Sequence, residues 1–353
     1  MKILHVITSL GTGGAEHLLV DLLPRLRDLG NDVELLVFDG KHSPFYELLE
    51  ENGIEIHRLG IGGNVYNPLN IFKLMKYVRS YDVVHTHLTA CQLFVPIAKI
   101  LRCGGAELVT TEHSANNRRR DKWFLRLIDR WMYARYARVI CISDKTQSNL
   151  ETHIGKRENI VLVYNGVDTS RFLNPIKDVT NKQTFIVTMV ASLSAAKDQD
   201  TLIKAVAELP DNYLLRIVGD GPRRAALEQL VKDLHIEDRV EFTGIRTDIP
   251  ELLRESDINV LSSHWEGLSL SSIEGMASGR PFVASDVDGL REMVKDNGVL
   301  FPHVDHQSLA KVIRDLCENP NHYREVAEKC QEKAKQFDIG VMASEYNKTY
   351  KSL

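Results

Sequence analysis

The sequence predicts an α/β protein built as two Rossmann-like, doubly wound domains. Three observations carry this. Short runs rich in Val, Ile and Leu alternate with longer helical patterns from end to end, which implies parallel sheets covered on both faces. At 353 residues the chain is long for one core and comfortable for two. A stretch from Asn165 to Gln183, with a turn signal, Pro175 and little apolar periodicity, interrupts the alternation near the middle.

The elements follow in order. Ile3–Ile7 reads as a first strand. It is apolar but short and runs into Gly11-Thr12-Gly13-Gly14, so a strand is expected there and not an export signal. A helix over Glu16–Leu29 follows, then strands at Val33–Phe38, Val83–His85, Leu108–Thr111, Val139–Ile142 and Ile160–Val163. After the interruption come strands at Phe185–Val190, Leu214–Val218, Val240–Phe242, Ile258–Leu261 and Pro281–Ala284, with helices such as Asp200–Glu208 and Arg223–Lys232 between them. From about Lys333 to Leu353 the chain reads as helical and polar, with spaced Phe337, Met342, Tyr346 and Tyr350. The expected division is 1–168, 169–335, and a C-terminal helix over 336–353 that crosses back to the first domain.

Composition excludes several classes. A hydrophobic share of 43% with 26% charged residues is that of an ordinary soluble globular protein. A net charge of −4 argues against a nucleic-acid-coating protein. No apolar run is long enough to span a bilayer. The five cysteines are odd in number and widely spaced, with no C-x-x-C pair and no zinc spacing. Cys141 lies in the apolar run Val139–Ile142 and reads as a small hydrophobe. A reducing cytoplasm is expected.

Two glycine-rich turns follow strands. Gly11-Thr12-Gly13-Gly14-Ala15 sits where a Rossmann protein binds pyrophosphate, and Asp39 closes the second strand where a ribose-binding acid would sit. A dinucleotide enzyme is therefore a rival reading. The fingerprint needs a third glycine, however, and that position is Glu16. Gly219-Asp220-Gly221-Pro222 reads as a tight strand-to-helix turn with Pro at the first helical position.

The most informative stretch is Ser263-His264-Trp265-Glu266-Gly267-Leu268-Ser269-Leu270-Ser271-Ser272-Ile273-Glu274-Gly275-Met276. A short polar loop feeding a helix start is an anion site, because free N–H groups and the helix dipole point at it. A carboxylate on either side suits hydroxyls flanking a phosphate, as in a nucleotide sugar. The bland alternative is a capping box from Ser271 to Glu274, with Glu266 a solvated loop charge.

With these motifs placed in order, the chain resembles the family-4 retaining glycosyltransferases of the GT-B fold. The resemblance rests on Gly13-Gly14-Ala15-Glu16, Val84-His85-Thr86-His87, Thr111-Glu112-His113 and Tyr164-Asn165-Gly166-Val167-Asp168 in the first half. In the second half it rests on Val190–Leu193 with Lys197-Asp198, on Val218–Pro222, and above all on Glu266-Gly267 through Glu274-Gly275-Met276 to Ser285. It implies two Rossmann-like domains facing across a cleft, the first binding the acceptor and the second the nucleotide sugar. Glu274 would accept hydrogen bonds from the ribose hydroxyls, and Glu266 would lie near the anomeric carbon. Gly267, Leu268, Ser269 and Leu270 would offer N–H groups to sugar and diphosphate. Lys197 would offset the leaving diphosphate, Gly13 and Gly14 would approach the phosphate, His113 would reach the donor sugar, and the backbone near Ile245 and Arg246 would meet the base. The family usually places an arginine where Ser192 stands. Arg223, Arg224 or Arg246 is the expected substitute, unless Lys197 and the helix start suffice. His85 and His87 are expected to alternate, one facing inward, with His87 as an acceptor contact.

In retaining members the leaving diphosphate takes the acceptor's proton on the face from which it departs, so no enzymic nucleophile is needed. No cofactor and no metal are expected, the chain being read as lacking an Asp-x-Asp motif that would hold a metal and diphosphate. The donor is expected to be a UDP-sugar. The acceptor is expected to be a glycan or a lipid-linked glycan of the cell envelope or capsule. Residues 118–138 mix cations with Trp, Phe and Tyr, as interfacial helices do. That stretch is the expected contact with anionic membrane, and no nucleic acid is expected. A nucleotide-sugar epimerase of the same fold is the other rival.

Overall fold

The computed structural model describes residues 1–11, 13–113 and 125–353. They form two compact units, residues 1–166 with 339–353, and residues 167–338. The basic-aromatic run Arg118–Phe124 lies outside the described residues, as does Thr12.

The first unit contains β1 (Lys2–Ser9), α1 (Gly14–Asp28), β2 (Asp32–Asp39), α2 (Pro44–Glu51), β3 (Glu55–Gly60), α3 (Leu69–Leu74) and β4 (Val83–His87). It continues with α4 (Thr89–Arg102), β5 (Glu107–Glu112), α5 (Leu125–Tyr133), β6 (Arg138–Cys141), α6 (Asp144–Ile154) and β7 (Ile160–Leu162). The strands form one seven-stranded parallel sheet in the order β3-β2-β1-β4-β5-β6-β7. Every residue of β4 is buried, as a central strand covered on both faces requires. Helix α1 buries Leu18, Leu19, Leu22, Leu23 and Leu26, a stripe at helical spacing.

The second unit runs β8 (Phe185–Val190), α7 (Gln199–Ala207), β9 (Tyr213–Val218), α8 (Arg224–Asp233), β10 (Val240–Gly244), α9 (Ile249–Glu255) and β11 (Ile258–Leu261). Then come α10 (Leu270–Ala277), β12 (Phe282–Ser285), α11 (Arg291–Val294), β13 (Val299–Phe301), α12 (His306–Glu318) and α13 (Pro320–Lys335). Its six strands are parallel in the order β10-β9-β8-β11-β12-β13. In each sheet the order reverses once, between β1 and β4 and between β8 and β11. Loops leaving the carboxyl ends of such a strand pair diverge to opposite faces and open a crevice.

Sequence reading missed two strands. β3 carries Glu55, His57 and Arg58 on an edge, with little alternation to detect. β13 is three residues long, also on an edge. The C-terminal segment is not one helix. It breaks between Lys335 and Ile339, and α14 (Ile339–Lys351) begins afresh. Phe337 packs in the second unit's core. Ile339, Met342, Ala343, Tyr346 and Tyr350 pack in the first unit's core with β1 and α1 residues. One apparent stripe therefore serves two cores.

Candidate active site

In the second unit, β8 ends in a turn that carries Lys197, and β11 ends in a loop that carries Glu266. Because β8 and β11 are sheet neighbours, these residues meet although they lie 69 positions apart. Lys197 Nζ donates to Glu266 Oε1 at 2.5 Å, and Ser263 Oγ donates to the same oxygen at 2.7 Å. Their side chains are 21% and 10% exposed, so the pair is half-sheltered and still reachable.

The loop is held from below. Ser262 Oγ donates to the Asp198 carbonyl (2.8 Å), His264 N–H to the Ala196 carbonyl (2.8 Å) and Ser285 Oγ to the Ser263 carbonyl (2.5 Å). Gly267, Leu268 and Ser269 lead into α10, whose N-cap is Ser269. The Ser269 side chain makes no capping bond and pairs instead with Ser271 Oγ at 3.0 Å. The first N–H groups of a helix have no partner within it, so this end keeps donors for an anion. Ser271 lies inside the helix, not at its cap, which corrects the capping-box reading. Glu274 is half-exposed on the same short helix.

Gly289 was missed by sequence reading. At φ +85° it passes so close to the loop that a Cβ would meet the Glu266 carbonyl and lie 2.6 Å from the Gly267 carbonyl. No motif signals this, because the contact is between backbones distant in sequence. Gly289→Ala is expected to cost about 1–2 kcal/mol from the left-handed conformation alone, and to displace the Glu266–Gly267 backbone. A thermal melt and donor KM measured together check it. An unchanged KM would separate Gly289 from the site.

The arginines proposed to replace the family arginine at Ser192 are all paired locally. Arg223 makes a two-point ion pair with Asp200, one contact at 2.9 Å. Arg224 pairs with Glu228 (2.9 Å) and Arg246 with Asp248 (2.8 and 2.5 Å). Only the Arg223 backbone reaches this turn, donating to the Leu193 carbonyl at 3.0 Å. A Cβ on Gly221 would lie 2.5 Å from that carbonyl, so the Gly219–Pro222 turn packs directly under residues 191–193.

The sequence does contain two Asp-x-Asp triplets, Asp198-Gln199-Asp200 and Asp286-Val287-Asp288, which corrects the reading that it has none. Asp198 accepts from Thr201 Oγ1 at 2.7 Å, and Asp200 holds Arg223. Asp286 and Asp288 lie 2.5 and 3.6 Å from Arg291. Each of the four carboxylates is already engaged with a neighbour.

In the first unit Gly13 is the N-cap of α1, and a Cβ on it would run into the Glu16 carboxylate. Gly14 opens the helix with no neighbour near its Cβ position. Asp39 Oδ1 accepts the backbone N–H groups of Lys41 (3.1 Å) and Gly62 (2.7 Å). It therefore braces its own loop, which weighs against the dinucleotide reading.

Beside the crevice of this sheet lies a histidine cluster. His5 on β1 is in register with His85 on β4, and His87 is two residues further on. Positions i and i+2 of a strand share a face, so the expectation that His85 and His87 alternate was mistaken. His5, His85 and His87 have no exposed surface. His5 Nδ1 and His87 Nε2 are 3.0 Å apart, and His87 Nδ1 and His113 Nε2 are 2.9 Å apart. His87, the expected acceptor contact, thus has both ring nitrogens engaged inside the protein. Half-buried His113 follows β5. Burial pushes the imidazoles of His5 and His113 down to about 3 and about 4. His85 and His87 lie well below the ordinary value, from burial first and then from neighbouring histidines.

Of the basic-aromatic stretch, helix α5 is described. Leu127, Ile128 and Trp131 are exposed on it. Arg135 stacks over the Trp131 ring at 5.4 Å, while Arg130 donates to the Ile154 carbonyl at 3.1 Å. Among the described residues no helix is long and apolar enough to cross a membrane.

Comparison with known proteins bears on both units. A family profile described as Glycosyl transferases group 1 matches residues 171–337, and one described as Glycosyltransferase Family 4 matches residues 12–171. Among curated relatives, an Escherichia coli UDP-Gal:alpha-D-GlcNAc-diphosphoundecaprenol alpha-1,3-galactosyltransferase is 29% identical over 65% of this chain and 63% of its own. A Campylobacter jejuni N-acetylgalactosamine-N,N'-diacetylbacillosaminyl-diphospho-undecaprenol 4-alpha-N-acetylgalactosaminyltransferase is 27% identical over 94% of each. Among solved structures, Anabaena HepE in complex with UDP-glucose is 26% identical, with a TM-score of 0.83 over the whole of both chains.

Proposed function

The chain belongs to the family-4 glycosyltransferases and has the GT-B fold, and we propose that within this family it is a retaining hexosyltransferase. It moves a hexose from a UDP-sugar to a glycan or lipid-linked acceptor in the synthesis of a cell-envelope or capsular polysaccharide. The observation that carries this reading is the Lys197–Glu266 pair at the strand-order reversal of the second sheet, beside the uncapped start of α10. That combination supplies one cation, N–H donors and one sheltered carboxylate, which are the groups a diphosphate with a sugar attached requires. Supporting it, the similar HepE structure contains UDP-glucose and the similar Escherichia coli enzyme is named for UDP-Gal and a diphosphoundecaprenol acceptor.

In this reading Glu274 takes the ribose hydroxyls, and the N–H groups of Gly267, Leu268, Ser269 and Leu270 take sugar and diphosphate. Arg246 marks the backbone that meets the base. Gly13 and Gly14 are assigned to the diphosphate and His113 to the sugar. A diphosphate competes with Glu266 for the Lys197 ammonium and so releases the carboxylate for hydroxyls near the anomeric carbon. The bond from the anomeric carbon to the diphosphate oxygen breaks, and the bond to the acceptor oxygen forms on the same face. The acceptor's proton passes to the departing diphosphate. Lys197 and the helix start offset its charge without a metal ion. The stretch 118–138, including exposed Leu127, Ile128 and Trp131, touches the anionic inner face of the membrane.

Thermal stabilisation by a panel of nucleotide sugars, with slow donor hydrolysis as the second readout, tests the donor. Glu274→Ala is expected to lower affinity for the preferred donor about 10- to 100-fold, the worth of about one charged hydrogen bond to the ribose. Unchanged stabilisation in the variant would remove Glu274 from the ribose. Anomeric NMR of the product separates retention from inversion, and turnover of UDP-sugar to an isomer without acceptor would favour an epimerase. Absence of sedimentation with anionic vesicles would remove the membrane contact.

A further inference from the structure

The buried histidines of the first unit form a hydrogen-bonded chain that ends on α14. His85 Nδ1 lies 2.6 Å from the Tyr350 hydroxyl, and His5 Nε2 lies 3.4 Å from the same oxygen. From His5 the chain runs through His87 to His113, at 3.0 and 2.9 Å. His85 Nε2 is closed by Thr111 Oγ1 at 2.8 Å. Among the described residues, Nδ1 of His113 has no partner.

A count of protons gives this chain a direction. A neutral imidazole has one N–H and one bare nitrogen, and burial keeps these rings neutral. A separation of 2.6 Å is short for N–H···O but ordinary for a hydroxyl donor, so Tyr350 donates to His85. Its oxygen can then only accept from His5, which places the His5 proton on Nε2 and leaves Nδ1 bare. His87 must then carry its proton on Nε2 to donate to His5, leaving its own Nδ1 to accept. His113 in turn must carry its proton on Nε2.

We propose that Tyr350, His5 and His87 are positioning residues that hold His113 in the Nε2–H form, so that its Nδ1 is a fixed hydrogen-bond acceptor for a hydroxyl of the bound sugar. The ligand class is thus a hydroxyl that donates, and not a phosphate or carbonyl oxygen, which could offer no proton to this nitrogen. The assignment of that hydroxyl to the donor sugar rests on the reading of His113 given above, whereas the proton arrangement does not.

A metal ion held by His5, His85 and His87, whose nitrogens lie within 4.8 Å of one another, is the competing account. Ligation needs lone pairs that converge in the ring planes. The His5 and His87 rings meet edge to edge, their planes 12° apart and the facing nitrogens at 3.0 Å, and both nitrogens of His85 pair with Tyr350 and Thr111, so no three lone pairs are left to converge on an ion. The hydrogen-bonded account fits this geometry better.

The test is long-range 1H–15N NMR of the histidine side chains in the full-length, ligand-free chain at neutral pH. The wild type is expected to show His113 protonated at Nε2 alone. Tyr350→Phe, which removes the hydroxyl, is expected to give a mixture of the two forms at His113 and to lower kcat/KM about tenfold. His87→Gln keeps a donor and an acceptor and is expected to restore more activity than His87→Leu. A wild-type His113 protonated at Nδ1, or a Tyr350→Phe variant with unchanged His113 signals, overturns the proposal. Zinc that shifts the His5, His85 and His87 signals together also overturns it. The wild-type spectrum decides even if a variant fails to fold. His113→Ala with undiminished turnover of UDP-glucose would instead sink the assignment of His113 to the sugar, and would leave the proton arrangement standing.

Discussion

Between pH 6.5 and about 4 the first unit is expected to lose stability steeply. In the unfolded chain His5, His85 and His87 take up protons near 6.5. In the folded unit burial holds His5 down to about 3 and keeps His85 and His87 well below the ordinary value. The unfolded state therefore binds more protons across this window, and stability rises with pH. The contribution is complete above pH 6.5 and is lost as pH falls toward the folded values, at up to about 1.4 kcal/mol per pH unit for each imidazole. Over two pH units three such rings amount to at most about 8 kcal/mol, a large share of a usual total stability of about 5–15 kcal/mol. Urea unfolding at a series of pH values, followed by hydrogen exchange in β1 and β4, measures it. His5→Asn should flatten the slope by about 1.4 kcal/mol per pH unit. A flat stability curve from pH 6.5 to 4.5 would show that the cluster does not stay neutral.

Lys197→Ala is expected to lower turnover at saturating donor about 100- to 1000-fold, the usual cost of removing one preorganised group that stabilises developing charge. The loss should fall on kcat more than on KM, because charge on the leaving diphosphate grows in the transition state. The change also strips Glu266 of its cation at 2.5 Å, leaving a side chain that is 10% exposed and still accepts from the Ser263 hydroxyl. Lys197→Ala combined with Glu266→Gln separates these effects. If the second change recovers stability and not turnover, Lys197 acts on the diphosphate. Turnover that survives Lys197→Ala would sink this account of the phosphate site.

Much of the fold was legible because period and order are local properties. The strands Phe185–Val190 and Ile258–Leu261 are central and mostly apolar, and their predicted bounds match the observed ones. β3 and β13 escaped because an edge strand need not be apolar on both faces. The break between α13 and α14 escaped because both helices keep helical spacing, and only the packing shows that Phe337 and Met342 belong to different cores.

By itself the sequence determined the doubly wound class, the order of elements and the identity of the motif residues. These depend on periodicity and turn chemistry within some tens of residues. Tertiary structure alone decided who meets whom. Lys197 finds Glu266 because the sheet places β8 beside β11, and His5 joins His85, His87 and Tyr350 because β1 lies beside β4 and α14 packs in that unit's core. His5 and Tyr350 stand 345 positions apart. No local pattern can encode such a pair, because strand order and helix docking are settled by the burial of whole faces and not by the neighbours of any one residue.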